Sequence, residues 1–203
     1  MTTYADFDDL EISNFVKSNF AETGVEPKGG SYYMRGTPDA DCFAYYPESF
    51  QDEPLTISLN SFWFYTSSMP LGPIYITHLT NIRDDEGPLT YANVYGIYIT
   101  ADGVYMMTST ILGGSKTKDV DVQNITEQTG ADISGAWYRL EVRATVSVTI
   151  ISLYDSDNTL IVSHEFEPLY NGEGVNGFYA HVSEDVQNLL IDESVVNNTT
   201  EPE

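Results

Sequence analysis

The sequence predicts an all-β fold, a single antiparallel sandwich of two sheets, and three observations predict it. Apolar and polar residues alternate with a period of two along much of the chain, turn-forming pairs punctuate the runs, and no long stretch sustains a helical period. A chain of 203 residues is long for one domain but ordinary for a β-sandwich, which often reaches roughly 200 residues undivided. One domain is expected over residues 1–196, with the polar stretch NNTTEPE at 197–203 as a frayed tail.

The strands follow in order. LTISLNSFWFYT places Leu55, Ile57 and Leu59 and then Phe62 and Phe64 at alternate positions, a change of phase that predicts a bulge or bend near Asn60. Ile74, Ile76 and His78 alternate with Tyr75, Thr77 and Leu79, and the acidic loop RDDEGP closes that run. YGIYITADGVYMMTST reads as a hairpin joined at Asp102 and Gly103, a pair suited to a tight turn. WYRLEVRA sets Trp137, Arg139, Glu141 and Arg143 on one face and Tyr138, Leu140, Val142 and Ala144 on the other, which predicts a half-buried strand. A second hairpin turns at Asp155 to Asn158, and the apolar run NLLIDESVV closes the chain. A helix is arguable over residues 8–20 alone, and strand or loop is the preferred reading there. No internal repeat signals a solenoid or propeller.

Charge limits the partners. The chain carries 31 Asp and Glu against 8 Lys and Arg, a formal net charge of −23, beside 15 Tyr and 9 Phe. The aromatic content is enough for a real core, so the acidity belongs to a folded surface. Such a surface repels itself in dilute buffer, and about 1 M salt shortens the Debye length to roughly 3 Å and removes most of that repulsion. With lysine confined to Lys17, Lys28, Lys116 and Lys118, the composition points to a salt-loving source, the alternative being an acidic domain from an ordinary one. No basic stripe is present to neutralise phosphates, so nucleic acid is not expected as a partner.

No membrane insertion and no Sec-type leader are expected, since the N-terminus lacks a basic region and 18 uninterrupted apolar residues occur nowhere. Cys42 is the single cysteine and reads as a buried thiol. Asn124, Asn197 and Asn198 match the glycosylation sequon, a pattern short enough to arise by chance.

DFDDLEISNF followed by GGSYYMRG, GAWYRLEVR followed by SLYDSDNTLIVS, and GVNGFYAHV followed by LLIDESVV together resemble the concanavalin A-like lectin/glucanase superfamily. The nearest type is the laminin G-like jelly roll found in haloarchaeal proteins and haloarchaeal viruses. The resemblance spans about residues 5–196 and implies a two-sheet antiparallel jelly-roll sandwich whose last strand returns to the first. It also implies a structural calcium ion held by acidic residues of the first and last strands, here Asp6, Asp8 and Asp192, with loop carbonyls completing the shell. No cofactor is otherwise required. Folds of this kind host lectins, glycan hydrolases, adhesion modules and virion parts, so function must come from a site.

Family 16 glycoside hydrolases carry a Glu-x-Asp-x-x-Glu strand, and the nearest string, Asp6, Asp8 and Glu11, has Asp for the first Glu and lies at the N-terminus. Glu141 has no second carboxylate at strand spacing. His78, His164 and His181 read as ordinary sheet histidines, and no nucleophile elbow, P-loop or zinc spacing appears. A non-enzymatic protein is expected. Tyr32, Tyr33, Tyr45, Tyr46, Tyr65 and Tyr91 are the candidate contacts for a glycan or partner, because tyrosine pairs a flat apolar face with a polar tip.

The leading expectation is a structural and attachment protein on the surface of a virion infecting a halophile: a capsid turret, a decoration or a tail-associated protein. It would work as a homo-oligomer among other virion proteins and bind a host-surface glycan or glycoprotein. The alternative is a cellular, extracellular or cell-surface glycan-binding module of lectin type or, behind it, a glycoside hydrolase.

Overall fold

The computed structural model of the chain describes residues 2–5, 16–18, 20–23, 33–36, 40–51, 57–68, 74–83, 91–112, 115–116, 121–145, 147–168, 174–182 and 189–199. In chain order the elements are β1 (Thr2–Ala5), β2 (Val16–Ser18), β3 (Phe20–Thr23), β4 (Tyr33–Gly36), β5 (Ala40–Gln51) and β6 (Ile57–Thr66). Then come β7 (Ile74–Arg83), β8 (Tyr91–Thr100), β9 (Gly103–Leu112), β10 (Ser115–Lys116), β11 (Asp121–Asn124) and the single turn of α1 (Thr126–Thr129). The chain continues with β12 (Trp137–Thr145), β13 (Thr149–Tyr154), β14 (Leu160–Phe166), β15 (Gly174–Val182) and β16 (Leu189–Thr199).

These strands form two antiparallel sheets. The first runs β14-β13-β12-β6-β16-β4-β3, with β1 also on β16, and the second runs β10-β9-β8-β7-β15-β5-β2, with β11 also on β9. The strand β16 meets β1 with Ala5 opposite Ser194, so the last strand returns to the first as the resemblance implies. Alternation then decides which face of each strand is inside. Phe62, Phe64, Leu140, Val142, Ile151, Leu153 and Ile191 of the first sheet meet Ile76, Tyr95, Ile97, Val104, Met106 and Ala180 of the second in one buried core. Each of the large side chains contributes about 1.5–3 kcal/mol through burial. Ile125 and Ile133, flanking α1, join that core.

The two hairpins follow from turn chemistry. Thr100 stands opposite Gly103, and Thr100 Oγ1 accepts from the Asp102 amide at 3.1 Å. Gly103 therefore opens β9 rather than sitting inside the turn, with φ of 156°; a Cβ there would run into Thr126 Oγ1. At the second hairpin the Asp155 carboxylate accepts from the amides of Asp157 at 3.0 Å and Thr159 at 2.8 Å. Asn158 takes the left-handed conformation, with φ of 63°, which asparagine tolerates better than most residues.

Three expectations need correction. No bulge occurs at Asn60: β6 pairs with β12 in unbroken register from Ile57 to Tyr65. The irregularity lies in β16, between Asp192 and Val195. The phase change arises because Ile57 and Leu59 share the outward register with Trp63, while Asn60 is buried in the core. The strand β16 also runs to Thr199, with Asn197, Asn198 and Thr199 opposite Leu59, Ser58 and Ile57, so a boundary at 196 falls inside a paired strand. Finally, α1 was not expected; a single turn is too short to show helical periodicity. Of the arguable stretch 8–20, residues 16–18 and 20 are strand and the remainder lies outside the described residues.

Candidate functional site

The outward face of the first sheet gathers aromatic and charged side chains that sequence separates. Tyr154, Arg139, Trp63 and Asp192 occupy one line across β13, β12, β6 and β16. Trp137, Tyr65, Leu190 and Arg35 occupy the adjacent line. Glu141 stands in the line on the other side, between Ser61 and Ser152.

The side chains interlock. The Arg139 guanidinium lies 4.1 Å from the centre of the Tyr154 ring, and its Nη1 donates to Glu141 Oε2 at 2.8 Å. The Tyr154 hydroxyl donates to Glu141 Oε1 at 3.3 Å. Burial, and then the Glu141 charge, push the Tyr154 hydroxyl up, so it stays protonated and keeps donating. Arg139 and Glu141 are 17% and 22% exposed, which makes the pair stronger than a fully solvated one. Arg139 Nε is buried with no hydrogen-bond partner. Beside this triad the half-buried rings of Tyr65 and Trp137 lie 5.7 Å apart, tilted by 46°.

Such an arrangement suits a hydroxyl-rich ring. Flat aromatic faces take the apolar side of a sugar, and a fixed charged donor and acceptor take its hydroxyls. The ion pair is already neutralised internally, so it offers hydrogen bonds rather than net charge.

Of the candidate tyrosines, Tyr65 belongs to this face. Tyr33 lies on β4 of the same sheet, opposite Thr23. Tyr45 and Tyr46 lie on β5, opposite Gly177 and Asn176, and Tyr91 lies on β8, opposite Leu112, all in the second sheet. Tyr32 lies outside the described residues. The five described tyrosines are thus divided between the two sheets. Sequence patterning does not point to Trp137, Arg139, Glu141 and Tyr154 as contacts, although strand alternation places the first three on one face.

Asp6 and Asp8 lie outside the described residues, and Asp192 stands opposite Trp63 at an outward position. Among the described residues no group of three or more His, Cys, Asp or Glu could hold a metal ion. No helix among them is long and apolar enough to cross a membrane.

No family model matches the chain, and no curated protein sequence matches it. Solved structures do. The carbohydrate-binding module CBM66 from Bacillus subtilis superposes with a TM-score of 0.57 at 13% identity, over 91% of this chain and 95% of that one. The fold is a concanavalin A-like jelly roll. The legume lectin-like domain from Entamoeba histolytica gives a TM-score of 0.59 at 13% identity, over 100% and 97% of the two chains. The Ca2+-bound exoplasmic/lumenal domain of VIP36 gives 0.59 at 14%, over 93% and 84%. At these identities the likeness is one of fold.

Proposed function

We propose that this chain is a non-enzymatic carbohydrate-binding domain that takes a glycan on the outward face of the first sheet. The observation that carries the reading is the Arg139–Glu141–Tyr154 triad set beside the Tyr65–Trp137 pair. The similar folds of a carbohydrate-binding module and a legume lectin-like domain support it. A hydrolase reading finds less support: Glu141 is engaged by two partners, whereas a retaining pair needs two carboxylates about 5–5.5 Å apart across the scissile bond.

Glycan binding, the alternative on sequence grounds, is therefore the better supported reading. Attachment to a virion, a halophilic host and homo-oligomer formation are finer proposals that rest on charge and resemblance, and none of the structural neighbours bears on them. Calcium is part of the proposal as well. Ala5, next to Asp6 in the sequence, stands opposite Ser194, two residues from Asp192, and the VIP36 domain was solved in a Ca2+-bound form.

A glycan array probed in molar salt tests the reading. Retention of defined glycans by the native chain, lost in Trp137→Ala, supports it; retention unchanged in that variant overturns the assignment of the face.

A further inference from the structure

Of the three sequon asparagines, Asn124 stands where the fold leaves room for a conjugate. It is the last residue of β11, a short strand whose one partner among the described strands is β9, and it is exposed. Asn197 and Asn198 belong instead to the paired length of β16, opposite Leu59 and Ser58 of β6.

The three residues of Asn-Ile-Thr take different roles in the fold. Ile125 is fully buried in the core. Thr126 is half-buried, and its Oγ1 accepts from the Val104 amide at 3.0 Å and donates to the Val104 carbonyl at 3.3 Å. Asn124 Oδ1 accepts from the Thr126 amide at 2.9 Å. The fold thus uses Asn124 through its oxygen, whereas an N-glycosidic bond is made at Nδ2. A substituted side-chain amide keeps its carbonyl acceptor, so a conjugate leaves this turn intact.

The surroundings suit a tethered sugar. Alternation puts Val122 on the same side of β11 as Asn124, and Val122 is one of two exposed large hydrophobic residues among those described. Tyr105 of β9 stands directly opposite Asn124 and is half-buried. Residues so paired lie about 5 Å apart at Cβ, within reach of the first ring of a conjugate. A glycan at Asn124 would cover Val122 and one face of Tyr105. It would also shield the outer edge of β11, where unpaired backbone groups invite pairing with another chain.

We infer that Asn124 is a site of N-linked glycosylation and that the first sugar of the conjugate packs against Tyr105 and Val122. The donor is an oligosaccharide carried on a polyprenyl phosphate or diphosphate. The bond from Nδ2 to the sugar C1 forms, the C1–O bond to the carrier phosphate breaks, the carrier leaves with that oxygen, and the Nδ2 proton passes to a base of the transferase. Because Ile125 is buried and Thr126 is held by Val104, transfer precedes the closing of this turn. Sequon modification belongs to exported chains, which is the extracellular or cell-surface setting. The site is separate from the Arg139 face and stands whether or not that face takes a glycan.

The full chain, passed through the secretory pathway of a host that performs N-linked transfer, tests this, with the same chain from a bacterial cytoplasm as the unmodified control. Peptide mapping by mass spectrometry should find most of the secreted chain modified at Asn124. Asn124→Asp, which keeps an acceptor for the Thr126 amide, should carry nothing there. In about 1 M salt the modified chain should melt about 2–4 °C above the control. Trimming the glycan to its first sugar should keep that increment, and Tyr105→Ala should abolish it with occupancy unchanged. Should Tyr105→Ala fail to fold, the native modified and unmodified chains decide the matter by themselves. Treated in vitro with donor and transferase, the folded control should stay unmodified, and its ready modification would overturn the order of transfer and folding. An unmodified Asn124 in the secreted, folded chain overturns the inference, and a modified chain that melts with the control overturns the packing on Tyr105 and Val122.

Discussion

His78 of β7 donates from Nε2 to the backbone carbonyl of Leu140 of β12 at 3.4 Å, across the space between the two sheets. Its ring centre lies 4.3 Å from that of Phe62, another first-sheet residue, so one side chain ties both layers together. Burial lowers its pKa from 6.5 to about 3, only partly offset by the Leu140 carbonyl.

Proton linkage gives that burial a sign. Above pH 6.5 the histidine is neutral in both folded and unfolded chains and adds no pH dependence. Between 6.5 and about 3 the unfolded chain takes a proton that the folded chain refuses, so stability falls with pH by up to about 1.4 kcal/mol per unit. Urea unfolding of the native chain and His78→Phe across that window should differ in slope by close to one proton. Equal slopes would contradict the assignment.

Gly96 sits where β7 and β8 approach too closely for a side chain. A Cβ there would lie 2.6 Å from Thr77 Cα and 2.8 Å from Thr77 Cγ2, and would also meet the Ile76 carbonyl oxygen. Gly96→Ala should cost about 2–3 kcal/mol in urea unfolding. Gly135→Ala, at a φ of 75° with open space around it, should cost about 1 kcal/mol. The reverse order of the two variants would refute the packing argument.

The net charge of −23 predicts a chain that salt stabilises. Tm should climb steadily from dilute buffer to about 1 M KCl, where screening is nearly complete, and sucrose at matched osmolality should give a smaller rise. A Tm insensitive to salt would mean that the acidic residues are paired or spaced well enough to cost little.

Calcium gives a separate thermal test. If Asp6, Asp8 and Asp192 hold the ion, calcium raises Tm over EGTA, and Asp192→Asn removes that increment. A Tm identical in both conditions would exclude a structural ion.

Much of the fold was legible because strand alternation has a short period and strong signals. Tyr138, Leu140, Val142 and Ala144 read as one face from sequence, and they are the inward face of β12. The turn at Asp155 to Asn158 was legible for the same reason, since its residue types supply both the carboxylate acceptor and the positive φ. Asn60 misled because a polar residue in an apolar run looks like a break in phase, whereas the core simply accommodates it.

The site was harder to read. Arg139 and Glu141 are two apart on one strand, but Tyr154 reaches them only through the β12–β13 pairing, and Tyr65 reaches Trp137 only through β6. Composition drew attention to tyrosines near loops, which pairing then divided between two sheets. What brings the triad and the aromatic pair together is strand register, which follows from the hydrophobic pattern and turn geometry of several strands at once rather than from any one segment.

The most direct test of the carbohydrate-binding account is calorimetric titration of the native chain and Glu141→Gln with the best-retained neutral glycan, with folding verified by circular dichroism. Loss of the Glu141 charge frees Arg139 from its fixed position, so Kd should rise at least about tenfold with the fold intact. A Kd unchanged in Glu141→Gln, or no neutral glycan bound by the native chain at any salt concentration, would contradict it.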